Sequence, residues 1–217
     1  MEKLKNLLRE LRPAFTVTLV LMLICGLGFP LLLNGLSAIL LPGRAGGSLV
    51  EGADGKVYGA EYVGQEFTAP YYLKCRPSAV HYNTYYEDAE GNQTYADGSE
   101  FTGLASGSQN MGPSNPALLE RVEADMESFL AANPDVKKED IPTDLLTASG
   151  SGLDPHISPA AAQVQLAAVA EASGLSMETL QQMVQDHTTG KTLGIFGEET
   201  VNVLGVNLDI AHAMGLI

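Results

Sequence analysis

One short segment concentrates side chains that could carry out catalysis. Residues 147–162 read TASGSGLDPHISPAAA, and four of them with catalytic potential fall within eight positions: Ser149, Ser151, Asp154 and His156. A serine hydroxyl activated by a histidine base, with an aspartate that orients the imidazole, is the arrangement of serine hydrolases. The segment therefore permits the hypothesis of a hydrolase that uses Ser149 or Ser151 with His156.

The same residues also have a structural interpretation. Catalytic triads are assembled from residues far apart in sequence, because each group must approach the substrate from a different direction. The nucleophile pattern Gly-x-Ser-x-Gly does not occur in the sequence. Asp-Pro and Ser-Pro pairs start turns, and Ser158 before Pro159 suits a helix N-cap. We therefore expect a structural or partner-contact loop here.

Other motifs that could carry chemistry are weaker. Gly190-Lys191-Thr192 is similar to the end of a phosphate-binding loop, but Gln185 stands where that loop requires glycine. The four histidines are scattered and form no i, i+4 pair, so the sequence predicts no metal site. Cys25 lies in an apolar run and Cys75 beyond it, so we expect two free thiols.

The charge balance narrows the class of partner. The 217 residues carry 12 Lys and Arg against 26 Asp and Glu, a net charge of −14. Binding DNA or RNA requires Lys and Arg to neutralise phosphates, so this excess of acid argues against nucleic acid. Two cysteines are too few for a disulfide-stabilised scaffold. Hydrophobic residues make up 45% of the chain, which is enough to form a core.

One segment is apolar enough to cross a membrane. Residues 13–41 contain no charged side chain, and 20 of these 29 residues are apolar. A bilayer core about 30 Å thick needs roughly 20 helical residues, whereas the apolar region of a cleaved signal has only about 7–15. We therefore predict a retained transmembrane helix over residues 13–41, kinked at Pro30.

The charges that flank this helix predict its orientation. Four basic residues precede it: Lys3, Lys5, Arg9 and Arg12. Only Arg44 follows it closely. The positive-inside rule then places residues 1–12 in the cytoplasm as a short tail, and everything after the helix on the other side of the membrane.

The remainder of the chain divides into a linker and one domain. Residues 42–47, PGRAGG, contain one Pro and three Gly, which break a helix and predict a linker. Residues 48–217 are predicted to form one extracytoplasmic domain, with seven Lys and Arg against 24 Asp and Glu and a net charge of −17. Within it, residues 84–104 carry five acids and no Lys or Arg, which predicts an inserted acidic loop, mobile or folded as an extra hairpin.

The domain is predicted to be α+β, with about three helices and short strands. Three N-cap signals mark the helices: Asn115 or Ser114 for one ending at Asn133, Ser158 for one ending at Gly174, and Ser176 for one ending near His187. Short strands are expected near Tyr58, and a β-branched final strand is expected over residues 201–210. Strands before and after a block of helices predict the α+β class.

Five blocks of sequence together carry a family resemblance. They are Arg12-Pro13, residues 76–83 (RPSAVHYN), residues 106–116 (SGSQNMGPSNP), residues 147–162, and residues 187–208 (HTTGKTLGIFGEETVNVLGVNL). In this order, and over nearly the whole chain, they resemble the C subunits (KdpC) of bacterial Kdp potassium-transporting P-type ATPases. The chain departs from the family pattern at residues 84–104, which lengthen a short link, and at Gln109, where serine is more usual.

The resemblance implies a non-catalytic subunit of an ATP-driven, high-affinity potassium import complex in the plasma (inner) membrane. The implied partners are a channel-like potassium subunit, a P-type ATPase catalytic subunit, a small membrane peptide and the lipid bilayer. K+ and Mg-ATP would be used by the complex, and no cofactor is expected on this chain. The sequence contains neither the Asp-Lys-Thr-Gly phosphorylation motif nor a Thr-Val-Gly-Tyr-Gly pore filter, so neither of those activities is assigned to it.

Eight residues of these blocks are candidates for structural or partner-contact roles: Arg76, Ser78, Asn115, Ser149, Ser151, Asp154, His156 and Asn207. No catalytic or metal-ligating residue is expected. Two other functions stay open at this point. One is a membrane-anchored extracytoplasmic serine hydrolase that uses Ser149 or Ser151 with His156. The other is an anchored ligand-binding module based on the Tyr-rich region between Tyr58 and Tyr95.

Overall fold

A computed structural model describes residues 2–52, 54–95 and 98–217. The chain forms two compact units, one ending at Leu49 and one beginning at Val50. The first unit contains the apolar segment, and the second contains the loops in which most of the candidate residues lie.

The first unit is helical over most of its length. Helix α1 is Glu2–Leu23 and helix α2 is Phe29–Leu40, with a π-helical segment at Ile24–Gly28 between them. Leu11–Leu40 is long and apolar enough to cross a membrane, and its most apolar stretch is not buried inside the protein. The tail over residues 1–12 continues this helix from Glu2 onward.

Pro30 accounts for the π-helical segment. Proline has no backbone N–H, and its ring clashes with the carbonyl four residues earlier, here that of Gly26. The turn before it is widened, so that the Phe29 N–H donates to the Ile24 carbonyl, five residues back. The irregularity expected at Pro30 is therefore a widened turn immediately before it.

The predicted linker over residues 42–47 contains a short helix, α3, at Pro42–Ala45. The expectation that its Pro and Gly residues exclude a helix is wrong for this turn. Proline is tolerated at the first helical position, because the N–H that it lacks would have no partner there. Gly47, with φ of +93°, then adopts the left-handed conformation that ends the turn.

Strands in the described residues form three small sheets. The strands are β1 Leu49–Glu51, β2 Val57–Ala60, β3 Tyr86–Glu87, β4 Gln93–Thr94, β5 His156–Ile157, β6 Thr188–Thr189 and β7 Thr200–Asn202. β1 pairs with β2, β3 pairs with β4, and the third sheet has the order β5-β7-β6. In that sheet His156 lies opposite Asn202, and Thr188 lies opposite Val201, both in antiparallel register.

The described part of residues 84–104 contains a hairpin, which is the second of the two predicted alternatives. Tyr86 pairs with Thr94 across β3 and β4. Aromatic contacts hold its base, with ring centroids 4.6 Å apart for Tyr85 and Phe101 and 5.0 Å apart for His81 and Tyr95. Asp97, one of the five acids counted there, lies outside the described residues.

The N-cap signals correctly predicted where helices begin. Helix α4, Pro116–Ala132, is capped by Asn115, and α7, Met177–Asp186, is capped by Ser176. The helix predicted after Ser158 is divided into two, which are α5 Pro159–Gln163 and α6 Leu166–Ser173. Gly174 ends α6 in the left-handed conformation, as predicted.

The predicted final strand over residues 201–210 is wrong beyond its first two residues. Strand β7 ends at Asn202, and helix α8 follows at Val203–Ala213. The Asn202 side chain caps α8 by accepting a hydrogen bond from the Gly205 N–H at 2.9 Å. The buried residues recur at helical spacing and form one face: Val203, Leu204, Val206, Asn207, Ile210 and Ala211.

The core of the second unit lies between the third sheet and helices α5 to α8. Its most deeply buried apolar side chains come from every one of these elements except β6: Ile157, Ala161, Ala162, Leu166, Val169, Leu180, Val201, Val203, Val206 and Ile210. Leu73, from the loop before the candidate site, joins the same cluster. The unit is mixed α and β, as predicted, but its described residues form five α-helices rather than about three.

Gly205 allows α8 to approach the end of α7. The His187 ring packs against Gly205 and its Nε2 lies 2.8 Å from Asp209 Oδ2. We predict that Gly205→Ala lowers the free energy of unfolding by about 1–2 kcal/mol, because overlap of the new Cβ with the ring outweighs the helix propensity gained. Urea unfolding of the full chain in detergent, followed by circular dichroism, measures the change.

Gly190→Ala is the matched control for this substitution. Gly190 has no atom near the position of a new Cβ and does not have a positive φ. We expect the Gly190 variant to unfold at the same urea concentration as the parent chain. Equal stability of the two variants would contradict the close contact between Gly205 and His187.

Candidate functional site

A cluster of polar residues joins the loop at residues 76–82 to the loop at residues 147–156. Arg76 Nη1 lies 3.2 Å from Asp154 Oδ2 in a half-buried ion pair. The second carboxylate oxygen of Asp154 accepts the backbone N–H of His156 at 3.0 Å. Two of the separate sequence blocks are therefore connected by one carboxylate.

The electrostatics of Asp154 follow from this position. Its burial alone would raise the pKa of the carboxyl group. The hydrogen bonds from His156 and the positive charge of Arg76 outweigh burial, so the pKa of Asp154 is lowered. Asp154 is thus held as a carboxylate, which is the form that can bind both groups.

Ser78 connects the same two loops through its hydroxyl group. It donates to the Gly152 carbonyl at 2.7 Å. It also accepts the backbone N–H groups of Val80 at 3.2 Å and of Tyr82 at 3.1 Å. With one donor and two acceptor positions used, this hydroxyl is fully occupied in structural hydrogen bonds.

The hydroxyl groups of Ser149 and Ser151 hold the turn over residues 149–153. The Ser149 hydroxyl accepts the Gly152 N–H at 2.8 Å, and the Ser151 hydroxyl accepts the Leu153 N–H at 3.1 Å. The two hydroxyl oxygens are 3.2 Å apart, so one donates to the other. The Ser149 N–H in turn donates to the Pro77 carbonyl at 3.1 Å.

A third sequence block, residues 106–116, reaches the same turn. The Ser151 carbonyl accepts the Gly107 N–H at 2.7 Å and the Ser106 hydroxyl at 3.0 Å. The blocks beginning at residues 76, 106 and 147 therefore meet at one place in the fold. Although the three blocks are far apart in sequence, hydrogen bonds between them hold them together in the fold.

An unusual left-handed turn lies beside the cluster. His81, Tyr82 and Asn83 have φ of 48°, 53° and 54°, a conformation that costs non-glycine residues roughly 1–2 kcal/mol each. The buried Tyr82 hydroxyl donates to the Arg76 carbonyl at 2.8 Å. Asn83 exchanges two hydrogen bonds of 2.9 Å with the backbone of Ala105. These contacts hold the turn in place despite its strain.

The arrangement does not form a serine hydrolase centre. In the described residues no hydrogen bond connects Ser149 or Ser151 to His156. The imidazole Nδ1 instead lies 3.6 Å from Asp154 Oδ1. Ser149 is only 1% exposed, and its hydroxyl is already used by the Gly152 N–H. The sequence segment that permitted a catalytic hypothesis is thus a structural loop.

The segment before the cluster is held by two buried amide side chains. Asn207, on α8, accepts the Leu73 N–H at 2.9 Å and donates to the Leu73 carbonyl at 3.0 Å. Gln165, between α5 and α6, does the same for Lys74, at 2.8 Å and 3.3 Å. The two amides pair with this backbone as a neighbouring β-strand would.

Sequence reasoning missed Gln165 and Lys74. Gln165 interrupts the Ala-rich helix, and a polar residue between two apolar runs was the available signal. The Lys74 ammonium donates to the carbonyls of Phe67 at 2.6 Å and Ala69 at 2.8 Å, and burial lowers its pKa. Cys75 follows directly, and burial raises the pKa of its thiol to about 12, which makes it unreactive.

A groove of about 500 Å³ opens beside the cluster. Arg76, Ser78 and His81 line one part of it, and Arg121 and Asp125 of α4 line another. Arg121 forms an ion pair with Asp125. Burial raises the pKa of Asp125, although the charge of Arg121 opposes this. The groove is polar and carries charges of both signs, which suits contact with a polar protein segment.

The eight candidate residues thus occupy three places. Six of them form the hydrogen-bonded cluster: Arg76, Ser78, Ser149, Ser151, Asp154 and His156. Asn207 holds the segment that leads into it. Asn115 does not join the cluster, since its side chain caps α4 by accepting the Ala117 N–H at 3.0 Å.

Comparison with known proteins gives consistent matches. A family model described as "K+-transporting ATPase, c chain" matches residues 11–212. The potassium-transporting ATPase KdpC subunit of Clostridium kluyveri is 52% identical over 208 residues, which cover 96% of each chain. That of Clostridioides difficile is 48% identical over 215 residues, covering 97% of this chain and all of the relative.

The buried amide of Asn207 generates a first prediction for this site. Asn207→Ala leaves the N–H and carbonyl of Leu73 without partners in the core. We expect the free energy of unfolding to fall by about 3 kcal/mol, because each buried unpaired group costs about 1–3 kcal/mol. Asn115→Ala, which removes only an exposed helix cap, should cost about 1 kcal/mol. Urea unfolding compares the two, and a smaller loss for Asn207→Ala would refute the role of the amide.

The lowered pKa of Asp154 predicts a pH dependence. The folded state binds this proton less readily than the unfolded state, whose aspartate pKa is about 3.9. Its stabilising contribution is therefore complete above that value and is lost as the pH falls through the folded pKa. We expect Asp154→Asn to be less stable than the parent at pH 7, with the difference shrinking below about pH 4.

Asp125→Asn provides a control of opposite sign. The pKa of Asp125 is raised, so lowering the pH through that raised value favours the folded state. The Asn variant at position 125 should therefore lack the stabilising contribution that protonation of Asp125 makes at low pH in the parent. Thermal unfolding from pH 3 to pH 7 measures both, and the same pH trend for the two variants would contradict the assignment.

Proposed function

This chain belongs to the KdpC family of potassium-transporting ATPase subunits, and we propose that it is a non-catalytic subunit required for the assembly and activity of that complex. The observation that carries the proposal is the extent of the match. It covers residues 11–212 and so includes both the apolar helix and the polar cluster.

The geometry of the cluster supports a role without catalysis. Its serine hydroxyls are used in turns and its carboxylate is used by Arg76 and His156. K+ and Mg-ATP are used by the other subunits in this proposal, and this chain supplies no cofactor. The partners proposed are the channel-like potassium subunit, the P-type ATPase catalytic subunit and the small membrane peptide.

Family membership and the single helix candidate in the described residues support association with a membrane. We propose that this is the plasma membrane and that the N-terminus is cytoplasmic, because basic residues precede the helix. The helix would pack against the channel-like subunit. Gly26 and Gly28 lack side chains, so a partner helix could approach closely there.

We also propose that the acidic charge of the second unit attracts cations. Residues 48–217 carry a net charge of −17. Among the described residues, Lys and Arg form ion pairs with only four of the acids, Asp54, Asp125, Asp154 and Glu198. Placed near the mouth of the pore, the remaining acids would raise the local concentration of cations.

Reconstitution of the complex tests the proposed function. The full chain is co-expressed with the other subunits of the transporter, purified in mild detergent and assayed for potassium-stimulated ATP hydrolysis. We expect large polytopic membrane proteins to co-purify with it, and hydrolysis to be lost when the chain is omitted. The full chain purified alone should hydrolyse no ATP. Undiminished hydrolysis without the chain, or purification of the chain as a lone monomer, would overturn the proposal.

A further inference from the structure

The connection between β6 and β7 exposes large apolar side chains at its tip. Leu193, Ile195 and Phe196 are 84%, 75% and 64% exposed. Single exposed apolar residues are common on protein surfaces. Three within four positions at the end of one loop indicate an interaction site. The polar cluster does not use these residues, and neither the core nor the apolar helix includes them.

The tip is ordered by its own hydrogen bonds. Thr192 and Phe196 form an isolated antiparallel bridge, in which the Thr192 N–H donates to the Phe196 carbonyl at 2.8 Å. The N–H groups of Ile195 and Phe196 both donate to the Thr192 carbonyl, at 3.2 Å and 3.0 Å. Leu193, at φ of +56°, and Gly194, at φ of +73°, adopt the left-handed conformation that closes the turn. A preorganised loop loses less conformational entropy on binding.

The base of the loop is fixed to the core. β7 is the central strand of the third sheet, and its Val201 is fully buried. β6 pairs with it directly, with Thr189 opposite Thr200. The tip is therefore held at its base by a strand of the core.

The area at the tip indicates what kind of contact it can make. Three large apolar side chains cover roughly 300–500 Å², whereas a stable interface needs about 800 Å² from each partner. The tip is too small to hold two copies of this chain together by itself. It suits the central anchor of a wider contact between proteins that the membrane already keeps close together.

The charges beside the tip indicate which partner it binds: a bilayer surface, a second copy of this chain or another protein. Lys191 pairs with Glu198 at 3.1 Å, but the Glu198 side chain is 84% exposed, and Glu199 follows it. An anionic bilayer surface would be repelled by these acids, and so would a second copy of a unit with a net charge of −17. A protein pocket with an apolar floor and basic residues at its rim matches both features.

We propose that Leu193, Ile195 and Phe196 dock into an apolar pocket with a basic rim on another subunit of the same complex. This inference rests on the proposed function, because it takes the partner to be a transporter subunit. The tip supplies the buried apolar anchor of that contact, and Glu198 and Glu199 supply its charged rim. In this proposal the tip contacts another protein and does not insert into lipid.

Substitution of the tip tests the apolar anchor. The triple variant Leu193→Ser, Ile195→Ser, Phe196→Ser is prepared in the full chain and co-purified with the other subunits. We expect the amount recovered to fall at least about tenfold, as for removal of hot-spot residues. Leu104→Ser is the matched control, since Leu104 is 85% exposed but lies in another loop. Recovery of the triple variant equal to that of the control would overturn the inference.

The charged rim is tested by salt. Recovery of the complex with the parent chain should fall when the salt concentration is raised from about 0.1 M to about 0.5 M, because surface charges are screened. Glu198→Gln together with Glu199→Gln should remove most of this dependence. An unchanged dependence in that double variant would contradict a basic rim on the partner.

A fluorescent label at the tip distinguishes the three possible partners, which are another subunit, lipid and a second copy of this chain. An environment-sensitive dye is attached to Ile195→Cys in a chain that also carries Cys25→Ala and Cys75→Ala. We expect a blue shift of the emission only when the other subunits are present. A shift in vesicles of phosphatidylcholine and phosphatidylglycerol without those subunits would identify lipid as the occupant, and a shift that grows with chain concentration alone would identify a second copy. Either result overturns the inference.

The two proposals fail in different ways. If the parent chain recovers no other subunit, the proposed function fails, and the docking inference fails with it. If the parent and the triple variant recover the other subunits equally, only the docking inference fails. Circular dichroism of the triple variant, compared with the parent, shows that the second unit has kept its fold.

Discussion

The backbone of Leu73 and Lys74 crosses the core without a β-strand beside it, and the rest of the second unit depends on how its polar groups are satisfied. Asn207 and Gln165 are 1% and 3% exposed, and each accepts an N–H from this segment and donates to a carbonyl of it. Gln165 also donates to the Ala161 carbonyl at 3.0 Å. A buried backbone group without a partner costs as much free energy as a lost hydrogen bond. These two amides therefore fix where the chain enters the site, and they fix α8 and the junction of α5 with α6 against it.

From this fixed segment the chain passes directly into the polar cluster. Arg76 is two residues beyond Lys74 and reaches Asp154 in the loop that precedes α5. Ser78 then binds Gly152, and the left-handed turn at residues 81–83 follows. Gly64 must be a glycine, because a Cβ there would overlap the Tyr82 ring and the Asp154 carbonyl. Residues that resemble a hydrolase centre in the sequence thus act as a rigid joint between loops. Rigid loops of this kind can present a groove and an exposed tip in fixed positions to a partner.

The two units divide the work of such a subunit. The most apolar stretch of the helix is not buried inside the protein, and the helix is long enough to cross a bilayer. In the proposed function, its partners are lipid and other helices. The second unit carries the acidic charge, the groove and the apolar tip. A membrane anchor raises the effective concentration of every contact that the second unit makes. Small contacts, each too weak to hold two free proteins together, can then act together in one assembly.

Local signals in the sequence determined the apolar helix, the N-caps at Asn115 and Ser176, the left-handed end at Gly174 and the family blocks. The caps depend on residues within a few positions of one another, and the apolar helix and the family blocks depend on runs of neighbouring residues, so all of them can be identified without knowing the fold. Only the tertiary structure decided the rest. The apolar residues from Val203 to Ile210 suit a strand or a helix, and their burial on one face against the core, with Asn202 as cap, selects the helix. Gln165 lies between α5 and α6, and its amide binds the backbone of Lys74, which is 91 positions away in sequence. Ser149, Asp154 and His156 were recognisable by type, but their roles depend on partners in distant loops, which the spacing of residues in one segment cannot reveal.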